Sequence, residues 1–166
     1  IPDGNQTAIL RMMRGKPQVV LQYSEWECGI AVASGLDTSS IDRLLDGTHR
    51  WVNRPTGSGA RAALDRLIAE RAAMGRGTLP PPGYELEARD HRAVAEIIAS
   101  GCAEAGIVVR AAASEAGLHM KTIDTEMYDL CIPEDLVDDR RVQALLDVAG
   151  QRSFRRALGA FDGQTT

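Results

Sequence analysis

Aromatic side chains are scarce in this 166-residue chain: two tryptophans, three tyrosines and two phenylalanines make up 4% of it. A recognition surface of stacked rings is not indicated, so the core is expected to consist of small residues on closely packed helices and a sheet. Surplus positive charge is lacking too. The formal net charge is −4, which argues against a general nucleic-acid face and leaves room only for a local patch. The three cysteines, Cys28, Cys102 and Cys131, are odd in number and far apart. They exclude a disulfide framework and fit a reducing, cytoplasmic setting, each expected as a small buried residue. His49, His91 and His119 show no zinc-like spacing with them, so neither a metal nor a resident cofactor is expected. No apolar run approaches the roughly 18 residues of a membrane span. The opening "IPDGNQTAIL" has no basic start and no long apolar stretch, unlike a secretory signal.

What is present is the material of a folded domain. Hydrophobic residues make up 44% and charged residues 25%, over a length that suits one ordinary domain or two small lobes. Residues 6–14 predict a short helix stopped by Gly15. "QVVLQY" (18–23) and "GIAVAS" (29–34) read as two strands. Ser39 or Ser40 caps a short helix that carries Ile41, Leu44 and Leu45 and stops at Gly47. "RWVN" (50–53) is a short strand. A helix then runs from Gly59 to about Met74, with Ala60, Ala63, Leu64, Leu67 and Ile68 on one face. The three prolines of "GRGTLPPPGYE" (75–85) exclude helix and central strand. Asp90 caps a helix with Val94, Ile97 and Ile98 inward and Gly101 at its end. "AGIVV" (105–109) is a buried strand and "RAAASEAGL" a short helix. "HMKTID" and "EMYDLCIP" read as two further strands. The tail holds helices near 138–148 and 153–158, the solvated "DDRR" (138–141) starting the first. Strands alternating with helices predict an α/β domain with a mostly parallel sheet.

One stretch carries chemistry. In "RWVNRPTGSGARAALDRLI" a strand runs through Arg54 and Gly57-Ser58-Gly59 directly into a helix. Ser58 at the N-cap leaves the first amide N–H groups of that helix pointing outward, with the macrodipole adding partial positive charge. Gly57 and Gly59 let a ligand approach the backbone, and Arg54 and Arg61 supply forked, permanently charged donors. Each charge-assisted bond contributes roughly 1.5–3 kcal/mol. About four or five of them hold a small anion at micromolar affinity or better after the entropy of association. The same residues also suit a plain turn with surface arginines. A phosphate-binding P-loop needs a lysine after its last glycine, and none stands here.

"VNRPTGSGAR" resembles the motif N-R-x-x-G-S-G-T-R of substrate-binding domains with the type II periplasmic-binding-protein fold, the molybdate-binding-like family. "EWECGIAVASG", "DHRAVAEIIASGCAEAGIVVRAAA" and "EMYDLCIP" resemble its flanking segments in the same order, and the likeness covers roughly residues 5–160. It implies two α/β lobes joined by crossing strands near 19–33 and 123–133, with residues 34–122 as the second lobe and 1–33 and 123–166 as crossings and the remainder of the first. It implies a non-enzymatic domain that binds a tetrahedral oxyanion, molybdate or tungstate, through Arg54, Gly57, Ser58, Gly59, Ala60 and Arg61. Alternation puts Glu126 and Tyr128 of the return strand on one face, where they line either the ligand site or the lobe interface. Such domains serve sensing, transport or molybdenum homeostasis. They occur alone or beside DNA-binding or molybdenum-cofactor biosynthesis segments, and a homodimer is compatible with them. Ala60 stands where the family has threonine, and Glu25, Trp26 and Glu27 stand where it has arginine. The family's first strands and helices have no counterpart before Ile1, so one lobe is expected to be incomplete. Phosphate receptors with a similar loop carry a carboxylate where Thr56 stands, which implies preference for a fully ionised dianion.

Other candidates are weaker. His91 reads as a surface side chain at a helix start, with ligand contact as its alternative. Asp124 shares the strand face of Glu126 and Tyr128 by alternation, and acidic groups there disfavour an anion. The order Pro55-Thr56-Gly57-Ser58-Gly59 approaches a nucleophile elbow, but glycine directly precedes the serine, so an esterase is the lesser alternative. A second alternative is an interaction or regulatory module that has lost its oxyanion.

Overall fold

The computed structural model describes residues 4–14, 16–160 and 164–165. The chain forms two compact units, one of Glu27–Thr125 and one of the residues up to Trp26 together with those from Glu126 onward. The polypeptide passes from one to the other twice, each time inside a long strand: β1 (Gln18–Val32) and β4 (His119–Pro133). The sequence reading split each of these into two strands. No glycine or proline stands between Tyr23 and Cys28, or between Asp124 and Glu126, so nothing local interrupts the extended backbone. Thr122 Oγ1 bonds Glu27 Oε2 at 3.1 Å, Gln22 Nε2 reaches Met127 Sδ at 3.8 Å, and Cys131 Sγ bonds Gln18 Oε1 at 2.8 Å. Numbers rise on β1 as they fall on β4, so the two run antiparallel.

In the unit Glu27–Thr125, β2 (Trp51–Val52) and β3 (Ala105–Val109) join these strands in the order β2-β3-β1-β4. β2 and β3 are parallel, pairing Trp51 with Ala105 and Val52 with Gly106, whereas β1 is antiparallel to β3 from Cys28 opposite Val109 to Val32 opposite Ala105. The sheet is therefore mixed rather than mostly parallel. Parallel pairing follows where a helical crossover joins the strands. α3 (Gly59–Ala73) and α4 (His91–Ala99) form that crossover between β2 and β3, and no such connection links β3 to β1. Alternate strand residues feed two cores. On one face Ile30, Val32, Trp51 and Ile107 pack with Leu44 of α2 (Ile41–Leu44) and with Ala60 and Leu64 of α3. On the other, Ala31, Val52 and Val108 pack with Val94, Ala95 and Ile98 of α4 and with Ala112 of α5 (Arg110–Glu115). α4 lies so close to β3 that a Cβ on Gly106 would stand 2.7 Å from Val94 Cγ1 and 2.8 Å from the Val52 carbonyl oxygen.

The other unit contains α1 (Gly4–Met13), the outer halves of β1 and β4, a 3-10 turn at Glu134–Leu136, α6 (Arg140–Gly150), α7 (Arg152–Gly159) and β5 (Gln164–Thr165). β5 pairs antiparallel with β1 at Glu25 and Trp26. The expected stop at Gly15 lies outside the described residues. Both tail helices are present, but neither contains a buried residue, and Leu145 and Val148 are exposed. The cysteines differ from expectation in part. Cys28 is buried and Cys131 half-buried, but Cys102 is exposed, because it follows Gly101 in the turn that leaves α4. No disulfide joins them. Among the described residues no helix is long and apolar enough to cross a membrane, and no group of His, Cys, Asp or Glu side chains could hold a metal ion.

Candidate functional site

The loop that ends β2 is built from its asparagine. Asn53 is buried, its amide bonds the Leu86 carbonyl at 2.7 Å, and its own carbonyl accepts from Ala88 N at 2.9 Å. Its side-chain oxygen accepts from the Arg54 amide at 2.9 Å, fixing the direction in which the chain leaves the sheet. Gly57 then takes φ +94°, a left-handed conformation that glycine reaches without strain. Ser58 is the N-cap of α3, and its hydroxyl oxygen accepts from the Arg61 amide at 3.2 Å. That is the geometry of a cap and not of an activated nucleophile. The first i→i−4 bond of α3 runs from Ala62 N to Ser58 O at 3.0 Å, so the Gly59 and Ala60 amides have no turn before them to donate to. The Ser58 amide is occupied by the Pro55 carbonyl at 3.2 Å.

The two arginines separate. Arg61 is buried and turned along its own helix: Nε bonds Asp65 Oδ1 at 3.2 Å, Nη1 bonds Glu87 Oε1 at 3.3 Å, and the guanidinium lies 4.0 Å from the centroid of the Tyr84 ring. Tyr84 Oη donates to the same Asp65 oxygen at 2.6 Å, and this bond is the main reason its phenol is held above the ordinary tyrosine range. Arg61 is thus neutralised by two carboxylates, contrary to its expected place facing an anion. Arg54 is the opposite case. Its Nε is buried and has no hydrogen-bond partner.

His91 opens α4, directly after the Asp90 cap, whose carboxylate accepts from Ala93 N at 2.8 Å. The expectation of a surface side chain fails. His91 is partly buried, and its Nδ1 is fully buried without a partner. It precedes Val94 by three residues and Ala95 by four, so it shares their inward face. Its pKa is lowered to about 4, first by burial and second by the Arg54 charge, against a hydrogen bond to the Ile107 backbone. The unfolded chain therefore takes up a proton on this imidazole near the usual 6.5, while the folded chain does so only near 4. Stability is unaffected above that window, falls as the pH drops through it, and levels off below it at a loss of no more than about 2–3 kcal/mol. The urea midpoint gap between wild type and His91→Gln is expected to shrink between pH 7 and pH 4.5; a constant gap would contradict the assignment.

Arg54, Gly57, Ser58, Gly59, Ala60 and His91 all belong to the unit Glu27–Thr125. Tyr128 belongs to the other unit, where its ring centroid lies 5.3 Å from that of Trp26 and 6.3 Å from that of Tyr23. Asp124 is paired with Arg66 at 2.9 Å. Glu27, one of the acids that replace the expected arginine, is paired with Arg110 Nε.

Comparison with known proteins agrees with this architecture. The chain is 25% identical over 165 residues to YvgK, an uncharacterized protein of Bacillus subtilis, in a match that takes in 98% of this chain and 52% of YvgK. It thus spans about half the length of that curated relative. Among solved structures, the CcmR regulatory domain of Synechocystis in complex with 2-PG is similar with a TM-score of 0.62 at 16% identity, covering 81% of this chain and 66% of the other. The substrate-binding domain of a putative molybdenum ABC transporter from Clostridium difficile gives 0.60 at 13% identity, covering 99% and 74%. The arginine-, lysine- and histidine-binding protein ArtJ of Geobacillus stearothermophilus gives 0.60 at 14%, covering 94% and 66%. At such identities these likenesses establish the fold. The PBP superfamily domain matches residues 2–150, and with the fold and the loop described above this chain belongs to that family, as a non-enzymatic ligand-binding domain of the periplasmic-binding-protein type.

Proposed function

We propose that this domain binds a small tetrahedral oxyanion, of the molybdate or tungstate class, at the loop Arg54–Gly59, and serves sensing, transport or molybdenum homeostasis. The observation that carries the reading is the Arg54 guanidinium. Its Nε is buried without a partner at the end of a strand that leads into the first amides of α3. An orphaned buried donor costs about 1–3 kcal/mol, and an anion accepting from it removes that cost. The domain of the C. difficile molybdenum transporter shares the fold. In a longer chain a DNA-binding or molybdenum-cofactor biosynthesis segment is the partner this reading favours.

One observation favours a second reading, an interaction or regulatory module that no longer holds an oxyanion. Arg61 is neutralised by Asp65 and Glu87, and Ala60 offers no hydroxyl, so the loop retains one guanidinium with an unpartnered nitrogen, Arg54 Nε. Thermal shift with molybdate, tungstate, sulfate and phosphate separates the two. A gain for one dianion supports the receptor, and no gain for any supports the module. Selectivity has its own test at Thr56, which is exposed beside Gly57. Thr56→Asp supplies a carboxylate that accepts a proton from hydrogen phosphate. Calorimetric titration should show phosphate gaining on molybdate by about tenfold, the equivalent of roughly 1.4 kcal/mol; unchanged selectivity would refute the role.

A further inference from the structure

The outer part of β1, Gln18–Ser24, belongs to the unit that also holds α6 and α7. β4 runs along one of its edges, as the contacts of Gln18 with Cys131 and of Gln22 with Met127 mark. The opposite edge of β1 is taken by β3 from Cys28 to Val32 and by β5 at Glu25 and Trp26. From Gln18 to Ser24 that edge pairs with no strand among the described residues. Open edges are templates for pairing with another chain, and proteins blunt them with charge. β4, whose far edge is also open, does so with Lys121, Asp124, Glu126 and Asp129. The open stretch of β1 reads Gln-Val-Val-Leu-Gln-Tyr-Ser and carries no charge. Its apolar side chains stand in water: Val19, Val20 and Leu21 are 36%, 45% and 37% exposed. The unit has little else to hold it, since among its described residues only Ser24 and Ile132 are buried. A two-stranded ribbon is marginal by itself, and three or more strands are needed for independent stability.

We propose that this edge pairs antiparallel with the same edge of a second copy of the chain, giving a four-stranded sheet in the order β4-β1-β1-β4 across a two-fold axis at Val20. The occupant follows from the polarity of the segment, which is the same in either direction: Gln18, Val19, Val20, Leu21, Gln22. Antiparallel self-pairing about Val20 sets Val19 against Leu21, Val20 against Val20 and each Gln18 against a Gln22, so apolar meets apolar and amide meets amide. A slip of one residue would set Val19 against Gln22 and turn the second copy's apolar set to the opposite face, so the register is defined. Val19, Leu21 and Tyr23 share a face by alternation. Leu21 and Tyr23 line a groove of about 360 Å³ with Leu130 of β4, Leu146 of α6 and Leu158 of α7. Val19 of the second copy would stand beside Leu21 at the mouth of that groove. Pro17 lacks an N–H and limits the pairing on one side, and β5 limits it on the other. The contact is isologous, so it closes at two copies. It uses no residue of the loop Arg54–Gly59 and is independent of the oxyanion reading.

Sedimentation equilibrium of the full chain over about 1–100 μM tests this. The expected result for the wild type is a monomer–dimer equilibrium. Val20→Lys puts two like charges on the axis and should weaken the dimer by about tenfold or more. Val20→Thr keeps a β-branched side chain there and should hold the dimer within about threefold of wild type. Val20 is exposed, so neither change touches a core, and far-ultraviolet circular dichroism checks the fold. Val20→Cys, with the exposed Cys102 changed to Ser, should form a disulfide-linked dimer under mild oxidation. Residues facing each other in an antiparallel pair stand about 4.5–5.5 Å apart between Cα atoms, within disulfide reach. Leu79→Cys in the same background, more exposed but in the other unit, should not cross-link. A wild type that is monomeric over the whole range overturns the proposal and leaves the edge to a strand of different origin. A dimer that Val20→Lys does not weaken and Val20→Cys does not link overturns it as well, as do open-ended aggregates in place of a dimer.

Discussion

Trp51→Ala is expected to lower the folding free energy by about 3–5 kcal/mol, the cost of deleting a large ring from a filled core. Trp51 is fully buried in the cluster of Ile30, Leu44, Leu64 and Ile107, and Tyr84, which also packs against that cluster, is held by its bond to Asp65. The indole also donates from Nε1 to the Leu44 carbonyl at 2.9 Å, so truncation orphans a buried acceptor at the end of α2. Far-ultraviolet circular dichroism in urea is the suitable measurement. Trp26 remains in the other unit as a fluorescent reporter of whether that unit follows the loss. A change under about 1 kcal/mol would mean that the cavity collapses without strain. Trp51→Phe should recover most of the packing but not the bond to Leu44.

The second large effect concerns Arg54. Arg54→Ala should weaken anion binding by about one to two orders of magnitude, the equivalent of losing a charge-assisted bond of roughly 1.5–3 kcal/mol. Its signature separates it from a structural mutation. Because Arg54 Nε is buried without a partner, removing it should leave the ligand-free melting temperature unchanged or slightly raised. It should also raise the His91 pKa, since the Arg54 charge is one of the forces holding it down. Arg61→Ala should behave the other way. It strips Asp65 and Glu87 of their common partner and uncovers the Tyr84 ring, so stability falls whether or not ligand is present. Equal loss of stability in the two variants would contradict the division of labour between these arginines.

Most of the local structure around the site was legible in the residues. Ser58 and Asp90 announce their helices because a short polar side chain before an apolar period can accept from the first turn, and both do so. The direction of Arg61 was half legible: Asp65 stands four residues on, the spacing of a helical ion pair. Glu87, distant along the chain, gives no such signal. The burial of His91 was also written in its spacing to Val94, Ala95 and Ile98, but the preceding cap made it read as an exposed helix start. Strand direction was not legible. Alternation reports which face a residue takes and nothing of how neighbouring strands run, so the antiparallel pairing of β1 with β3 needed long-range contacts. The length of β1 and β4 was missed for a related reason, since the charged residues in their middles imitate loops without bending the backbone.

The absent side chain at Gly106 reaches beyond the hydrophobic interior. Because Val94 sits against that bare backbone, the seat of α4 is set there, one helical turn from the imidazole. Even a methyl group at position 106 would act as a wedge beneath the helix, tilting its first turn like a lever arm. On the oxyanion reading proposed above, anion affinity should then answer to Gly106→Ala, a change packed against Val94 and the Val52 carbonyl.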